Sequence, residues 1–170
     1  MKSVQLVRAE PHHAPEIWNI LQQAIERRKL DGSQQWQDGY PNPETIKNDI
    51  ENGFGYVLLS ENNVAGYAAI ILNNEPAYEE LQGKWLTTED FLVVHRVAIS
   101  NDFLGQGLAK KIFKEIEQLA LQQQICSIKV DTNFDNAAML HLLNSLHYQY
   151  CGEVFFRGSA RKAFEKVLRF

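Results

Sequence analysis

The chain has 170 residues, 45% of them hydrophobic and 22% charged, with a formal net charge of −4 and a sequence pI near 5.7. A domain of that size buries enough surface to fold without disulfide or metal staples. The acidic balance speaks against a nucleic-acid-binding face, and no run approaches the roughly 18 apolar residues of a membrane span. Met1 to Arg8 carries no charged-then-apolar leader pattern. The expectation is therefore one cytoplasmic domain over residues 1–170, with no metal, membrane or nucleic-acid partner. Cys126 and Cys151 sit in apolar runs without CxxC or Cys/His ligand spacing, and read as buried thiols.

Val4 to Arg8 alternates as a short strand. Pro11 and Pro15 then open a helix whose apolar residues Ile17, Ile20, Leu21, Ala24 and Ile25 keep helical spacing until Asp31-Gly32. Arg27, Arg28 and Lys29 read as the solvated end of that helix, where cations suit the dipole. Ser33 to Pro43 is polar but carries Trp36 and Tyr40. A second helix starts at Pro43-Glu44 and stops near Asn52-Gly53. Phe54–Leu59 and Val64–Leu72 read as strands joined by a tight turn at Glu61-Asn62-Asn63. Asn73 to Asp90 is a long excursion containing Tyr78 and Trp85, and such loops are usually functional or mobile.

Phe91 to Ile99 is nearly continuous in apolar residues, as a strand buried on both faces is. A helix from about Gly107 to Gln123 follows, then a strand at Cys126–Val130 and a helix from Asn136 to Leu146. Tyr150–Phe156 and Ala163–Phe170 read as two closing strands. A hairpin meander followed by one strand-helix-strand crossover predicts a mixed sheet in an α/β architecture.

The segment that carries chemistry is VAISNDFLGQGLAKKIF, Val97 to Phe113. Gly105 and Gly107 let backbone amides approach a ligand, and the free amides of the following helix turn form an anion site. Lys110 and Lys111 oppose the dipole in that turn, a conflict that a bound pyrophosphate removes. Three readings compete. One is a glycine-rich turn without a ligand. The second is a dinucleotide fingerprint, which needs a third glycine where Lys110 stands, although Asp131 lies at a suitable strand end.

The third is a family likeness. The stretch resembles the pyrophosphate motif of the GCN5-related N-acetyltransferases, written Gln/Arg-x-x-Gly-x-Gly/Ala. Gly105 and Gly107 match its glycines, while Asp102 stands where Gln or Arg is usual and Leu104 where a second basic residue is common. The resemblance implies a mixed sheet of about seven strands flanked by about four helices, with splayed strands at the cofactor site. It implies acetyl-CoA as co-substrate, its pyrophosphate held by Leu104, Gly105, Gln106, Gly107, Leu108, Ala109 and Lys110. Main-chain groups of Val97, Ala98 and Ile99 would face the pantetheine arm, with Asn136 a further contact that doubles as a helix cap.

The same resemblance implies direct transfer to an amine in a ternary complex, without an acyl-enzyme, and a Val97-strand amide as oxyanion donor. The family's usual tyrosine acid, seven residues after the asparagine, is replaced by Leu143 in an apolar stripe, leaving Tyr148 and Tyr150 as substitutes. His95 is the candidate base, since histidine's unperturbed pKa of about 6.5 suits proton uptake near neutrality. A histidine hydrogen-bonded within the sheet is the alternative. Glu80, with Glu79, Glu89 and Asp90, could act through water. Trp36, Tyr40, Tyr78 and Trp85 are the candidate acceptor-binding residues. A homodimer is plausible from strand edges near the C-terminus. A catalytically inactive acyl-CoA sensor of the same fold and a pure interaction module are the rival classes.

Overall fold

The computed structural model describes residues 3–169. Its elements are β1 (Val4–Arg8), α1 (Ala14–Leu30), α2 (Pro43–Glu51), β2 (Gly55–Ser60), β3 (Asn63–Leu72), α3 (Pro76–Glu79), β4 (Gln82–Gly83), β5 (Phe91–Ile99), α4 (Leu108–Gln122), β6 (Ser127–Thr132), α5 (Ala137–Ser145), β7 (Gln149–Phe156) and β8 (Ser159–Val167). Single 3-10 turns at Pro11–His13 and Asn101–Phe103 precede α1 and α4. The architecture is mixed α/β, with eight strands against the seven expected.

The chain divides into two compact units: residues 1–70 with 96–115, and residues 71–95 with 116–170. In the first unit β1 pairs antiparallel with β2, and β2 with β3. The Ser100 amide at the end of β5 donates to Ala65 O at 2.8 Å. Gly66 is needed beside it, because a Cβ there would lie 2.8 Å from Ile99 Cδ1 and 3.1 Å from Ala98 O. The core gathers Ile17, Ile20 and Leu21 of α1 and Ile46 of α2 onto Val57 and Tyr67. The predicted spacing on α1 therefore marks a buried face. Asn42 caps α2 by accepting from the Thr45 amide at 3.1 Å, and Pro43 occupies the first helical position.

In the second unit the order is β5-β6-β8-β7-β4. The β5–β6 ladder is parallel and runs from Phe91↔Ser127 to Val94↔Val130, which bears out the single crossover. β6–β8, β7–β8 and β4–β7 are antiparallel.

Two readings need correction. The excursion from Asn73 to Asp90 is not one loop but contains α3 and β4. Each is too short for a periodicity to register. α3 forms because Pro76 sits at its first position and the Glu75 carboxylate accepts from the Ala77 amide. β8 begins at Ser159 rather than Ala163, joined to β7 by a turn with positive φ at Arg157 and Gly158. Its alternation is intact, but two of its inward residues, Arg161 and Glu165, are charged. A hydrophobicity pattern therefore hides it. Phe170, assigned to that strand in the sequence reading, lies outside the described residues.

Candidate active site

The motif in the first unit forms an exposed loop that leads into α4. Gly105 and Gly107 have φ of 77° and 73°, and a Cβ at either would meet no atom within 4 Å. Both are thus glycines because of their backbone conformation, with open space above them. The Gly107 carbonyl accepts from the Lys111 amide at 3.1 Å, which starts the helix. By helical geometry the amides of Gly107, Leu108, Ala109 and Lys110 have no partner within α4. Leu108, Ile112 and Phe113 are buried on its inner face. Lys110 is exposed, whereas Lys111 pairs with Glu115 at 2.8 Å. These residues fit a pyrophosphate: a convex ligand meets backbone donors, a helix dipole and no side-chain obstruction.

The stem of that loop is held from α1. The Arg27 guanidinium donates to Ile99 O at 3.0 Å and to the Asn101 side chain, and Gln23 Oε1 accepts from the Asn101 amide. Arg28 is used locally, on Gln35 and Asp31. The basic triplet is a helix end, as expected, but its first member also braces the approach to the motif.

β5 carries an irregularity just before Val97. Arg96 has φ of 56°, a left-handed conformation unfavourable for any residue but glycine. Its guanidinium grips the buried Asp49 carboxylate in a fork, Nε to Oδ2 at 2.9 Å and Nη2 to Oδ1 at 2.6 Å. The Tyr67 hydroxyl donates to the same carboxylate at 2.6 Å, and Arg96 Nη1 donates to the Tyr40 hydroxyl. Burial, with the neighbouring Asp49 carboxylate adding to it, raises the Tyr67 hydroxyl well above the ordinary tyrosine range.

His95 belongs to the second unit. Its Nε2 lies 2.7 Å from Glu75 Oε2 and its Nδ1 lies 3.9 Å from Asp131 Oδ1. The three side chains are 14%, 15% and 4% exposed. The buried Tyr78 donates its hydroxyl proton to Asp131 Oδ1 at 2.6 Å, and Arg161 lies 3.8 Å from the other oxygen. Tyr78 and Phe156 flank the imidazole with ring centroids at 6.2 and 6.0 Å. Burial is the largest influence on Asp131 and pushes its carboxyl up, against the opposing pull of His95 and Tyr78.

A family model described as the acetyltransferase (GNAT) family matches residues 16–148. The chain belongs to the GNAT acetyltransferase family. A GNAT acetyltransferase structure from Streptococcus agalactiae is 37% identical, with a TM-score of 0.90, over 98% of this chain and 96% of that one. A GNAT acetyltransferase from Listeria monocytogenes shares the fold at 21% identity and a TM-score of 0.78, covering 97% and 95% of the two chains. Human N-acetyltransferase 8B is 26% identical over 106 residues, or 62% of this chain and 43% of that protein. The chain therefore spans under half the length of that curated relative.

The remaining sequence-derived residues of this GNAT chain fall as follows. Asn136 caps α5, its Oδ1 accepting from the Met139 amide at 3.2 Å. Leu143 is fully buried, in keeping with an apolar stripe. Tyr148 is buried just before β7, and burial, then Glu117, holds its hydroxyl well above the ordinary tyrosine range. Tyr150 is exposed on β7. Glu80 is exposed at the end of α3, and Glu79, Glu89 and Asp90 are exposed too. Trp36 packs against the core of the first unit, where Tyr40 meets Arg96. In the second unit, Trp85 Nε1 donates to Tyr78 O at 2.9 Å, and Lys129 lies over the Trp85 ring. Cys126 and Cys151 are free thiols, the second pushed up to about 11 by burial and then by Glu165.

Sequence reading missed Glu75 and the Asp49–Arg96 pair. Glu75 carried one usable signal, an acidic residue immediately before Pro76, which marks a helix start. Asp49 carried a clearer one. It stands three residues after Ile46 and so on the apolar face of α2, where a charge requires a partner. Among the described residues no group of three or more His, Cys, Asp or Glu side chains is placed to hold a metal, and no helix is long and apolar enough to cross a membrane.

Proposed function

We propose that this chain transfers the acetyl group of acetyl-CoA directly to a primary amine of a small molecule or peptide. The observation that carries this reading is the open Gly105–Gly107 cradle at the start of α4 in a GNAT chain. Acetyl-CoA supplies an activated thioester; everything else is asked of the protein. Amides of Leu104 to Lys110 hold the pyrophosphate, and Val97, Ala98 and Ile99 offer main-chain groups to the pantetheine arm. The Val97 amide, next to the left-handed Arg96, is the oxyanion donor in this reading.

His95 takes the amine's proton. With Glu75 ionised and 2.7 Å from Nε2, that nitrogen carries the imidazole hydrogen and Nδ1 keeps the lone pair. A proton arriving on Nδ1 then faces Asp131 at 3.9 Å, so the imidazolium lies between two carboxylates. Glu75 is the carboxylate that meets His95, while Glu80, exposed at the end of α3, is a carboxylate that would act through water. Tyr148 is a weak donor to a leaving thiolate, since its raised hydroxyl gives up a proton reluctantly. A CoA thiolate departs unassisted near neutral pH in this scheme. Trp36 and Tyr40, and separately Trp85, supply apolar surface for the acceptor, whereas Tyr78 is too buried to do so.

A thiol-release assay with acetyl-CoA across a broad amine panel tests the reading. Release of CoA with at least one amine supports it. CoA binding without release from any amine would overturn it in favour of a sensor, which no present observation favours. No CoA binding at all would leave an interaction module.

A further inference from the structure

Arg96 interrupts β5 between the two residues to which the proposed chemistry is assigned. In a regular strand residues 95 and 97 share one face and residue 96 the other. A left-handed residue between them turns the strand and re-aims its neighbours, as bulged strands do beside active sites. Such a conformation in a non-glycine residue persists only where its surroundings over-determine it. Here they do. Arg96 ends in a planar fork on Asp49, both carboxylate oxygens are engaged, and Tyr67 and Tyr40 close the network from β3 and the α1–α2 loop. Asp49 is 1% exposed and the Arg96 side chain 10%. The consequence shows in the burial of β5, where His95, Arg96 and Val97 are three successive half-buried residues flanked by fully buried ones.

We propose that Asp49 is a positioning residue for the transfer reaction: by gripping the Arg96 guanidinium it holds the left-handed kink that orients the Val97 amide. The inference rests on the Val97 amide being the oxyanion donor. Asp49 touches neither substrate in this scheme and acts only through the backbone of residue 96.

Glycine provides the discriminating test, because it adopts a φ of 56° without any anchor, whereas alanine does not. Asp49→Asn is compared with the double variants Asp49→Asn/Arg96→Gly and Asp49→Asn/Arg96→Ala. The doubles also remove the buried guanidinium that could prevent the single variant from folding. Turnover, CoA affinity by calorimetry and the Val97 amide signal by NMR are read for each. Asp49→Asn and the alanine double should lose about a hundredfold in kcat, the scale of an ångström's misplacement, with CoA affinity unchanged and the Val97 amide signal displaced. The glycine double should recover most of the turnover and the wild-type amide signal. Equal behaviour of the glycine and alanine doubles, or wild-type turnover and amide signal in Asp49→Asn, overturns the proposal. If the wild-type protein releases CoA with none of the amines, the transfer reading fails instead, and the amide signal still reports whether Asp49 sets Val97.

Discussion

Gly107→Val separates the binding role of the cradle from its role in the fold. Gly107 has φ of 73° and its missing Cβ would project into open space, so an added Cβ meets no atom and the substitution acts first through backbone strain. That strain is about 1–2 kcal/mol for an ordinary residue in the left-handed region, and valine's branched Cβ puts it at the upper end. At roughly 2–4 °C per kcal/mol for a chain of this size, the melting temperature should fall by about 2–8 °C and the protein should stay folded at 25 °C. Binding should suffer far more. If the loop turns away and two amide bonds to an anionic phosphate are lost, at about 1.5–3 kcal/mol each, the loss is about 3–6 kcal/mol. That is roughly a hundredfold to ten-thousandfold in Kd. Calorimetry with CoA, run beside a thermal melt, measures both quantities on one preparation. A folded Gly107→Val variant that binds CoA with wild-type affinity refutes the cradle.

His95→Gln should lower kcat by about a hundredfold, leaving CoA affinity unchanged; wild-type turnover makes His95 structural. Glu165 is fully buried and accepts from the Leu86 amide, the Thr87 hydroxyl and the Ser127 hydroxyl, each at 2.8 Å. Glu165→Ala strands those donors and should cost about 3–5 kcal/mol, read as a fall in the denaturant midpoint; an unchanged midpoint would mean that water replaces the carboxylate. Leu143→Tyr, which would install the tyrosine usual in the family, overpacks a fully buried position and should destabilise by about 1–3 kcal/mol. A rise in turnover without loss of stability would show that the hydroxyl finds room.

What the sequence made legible were the elements with a strong period. The strand Phe91–Ile99 was read to the residue, and the glycine pair placed the start of α4 within one. What it concealed were pairings between distant residues. Glu75 and Glu80 lie five residues apart in one polar excursion, and the Pro76 that marks Glu75 as a helix start does not say which of the two meets His95. The difference is the single turn of α3, which leaves Glu75 against His95 and Glu80 in solvent. Arg96 looked like one polar residue in an apolar strand. Its partner Asp49 is 47 positions earlier, and its left-handed φ leaves no trace in composition. The polar inward positions of β8 were hidden for a related reason, since buried charges that find partners break the rule by which strands are recognised.

The position of β8 bears on how the chain can be made. It follows both β6 and β7 in sequence, yet it hydrogen-bonds to β6 on one side and β7 on the other. The ladder of the second unit therefore has a vacancy until that strand leaves the ribosome, and β7 has nothing but the two-residue β4 to pair with while it waits. By contrast β1, β2 and β3 follow one another in chain order and can zip as they emerge. During translation this protein should thus present a settled amino-terminal meander and, behind it, unpaired strand edges from β6 and β7. That is the kind of intermediate on which holding chaperones act.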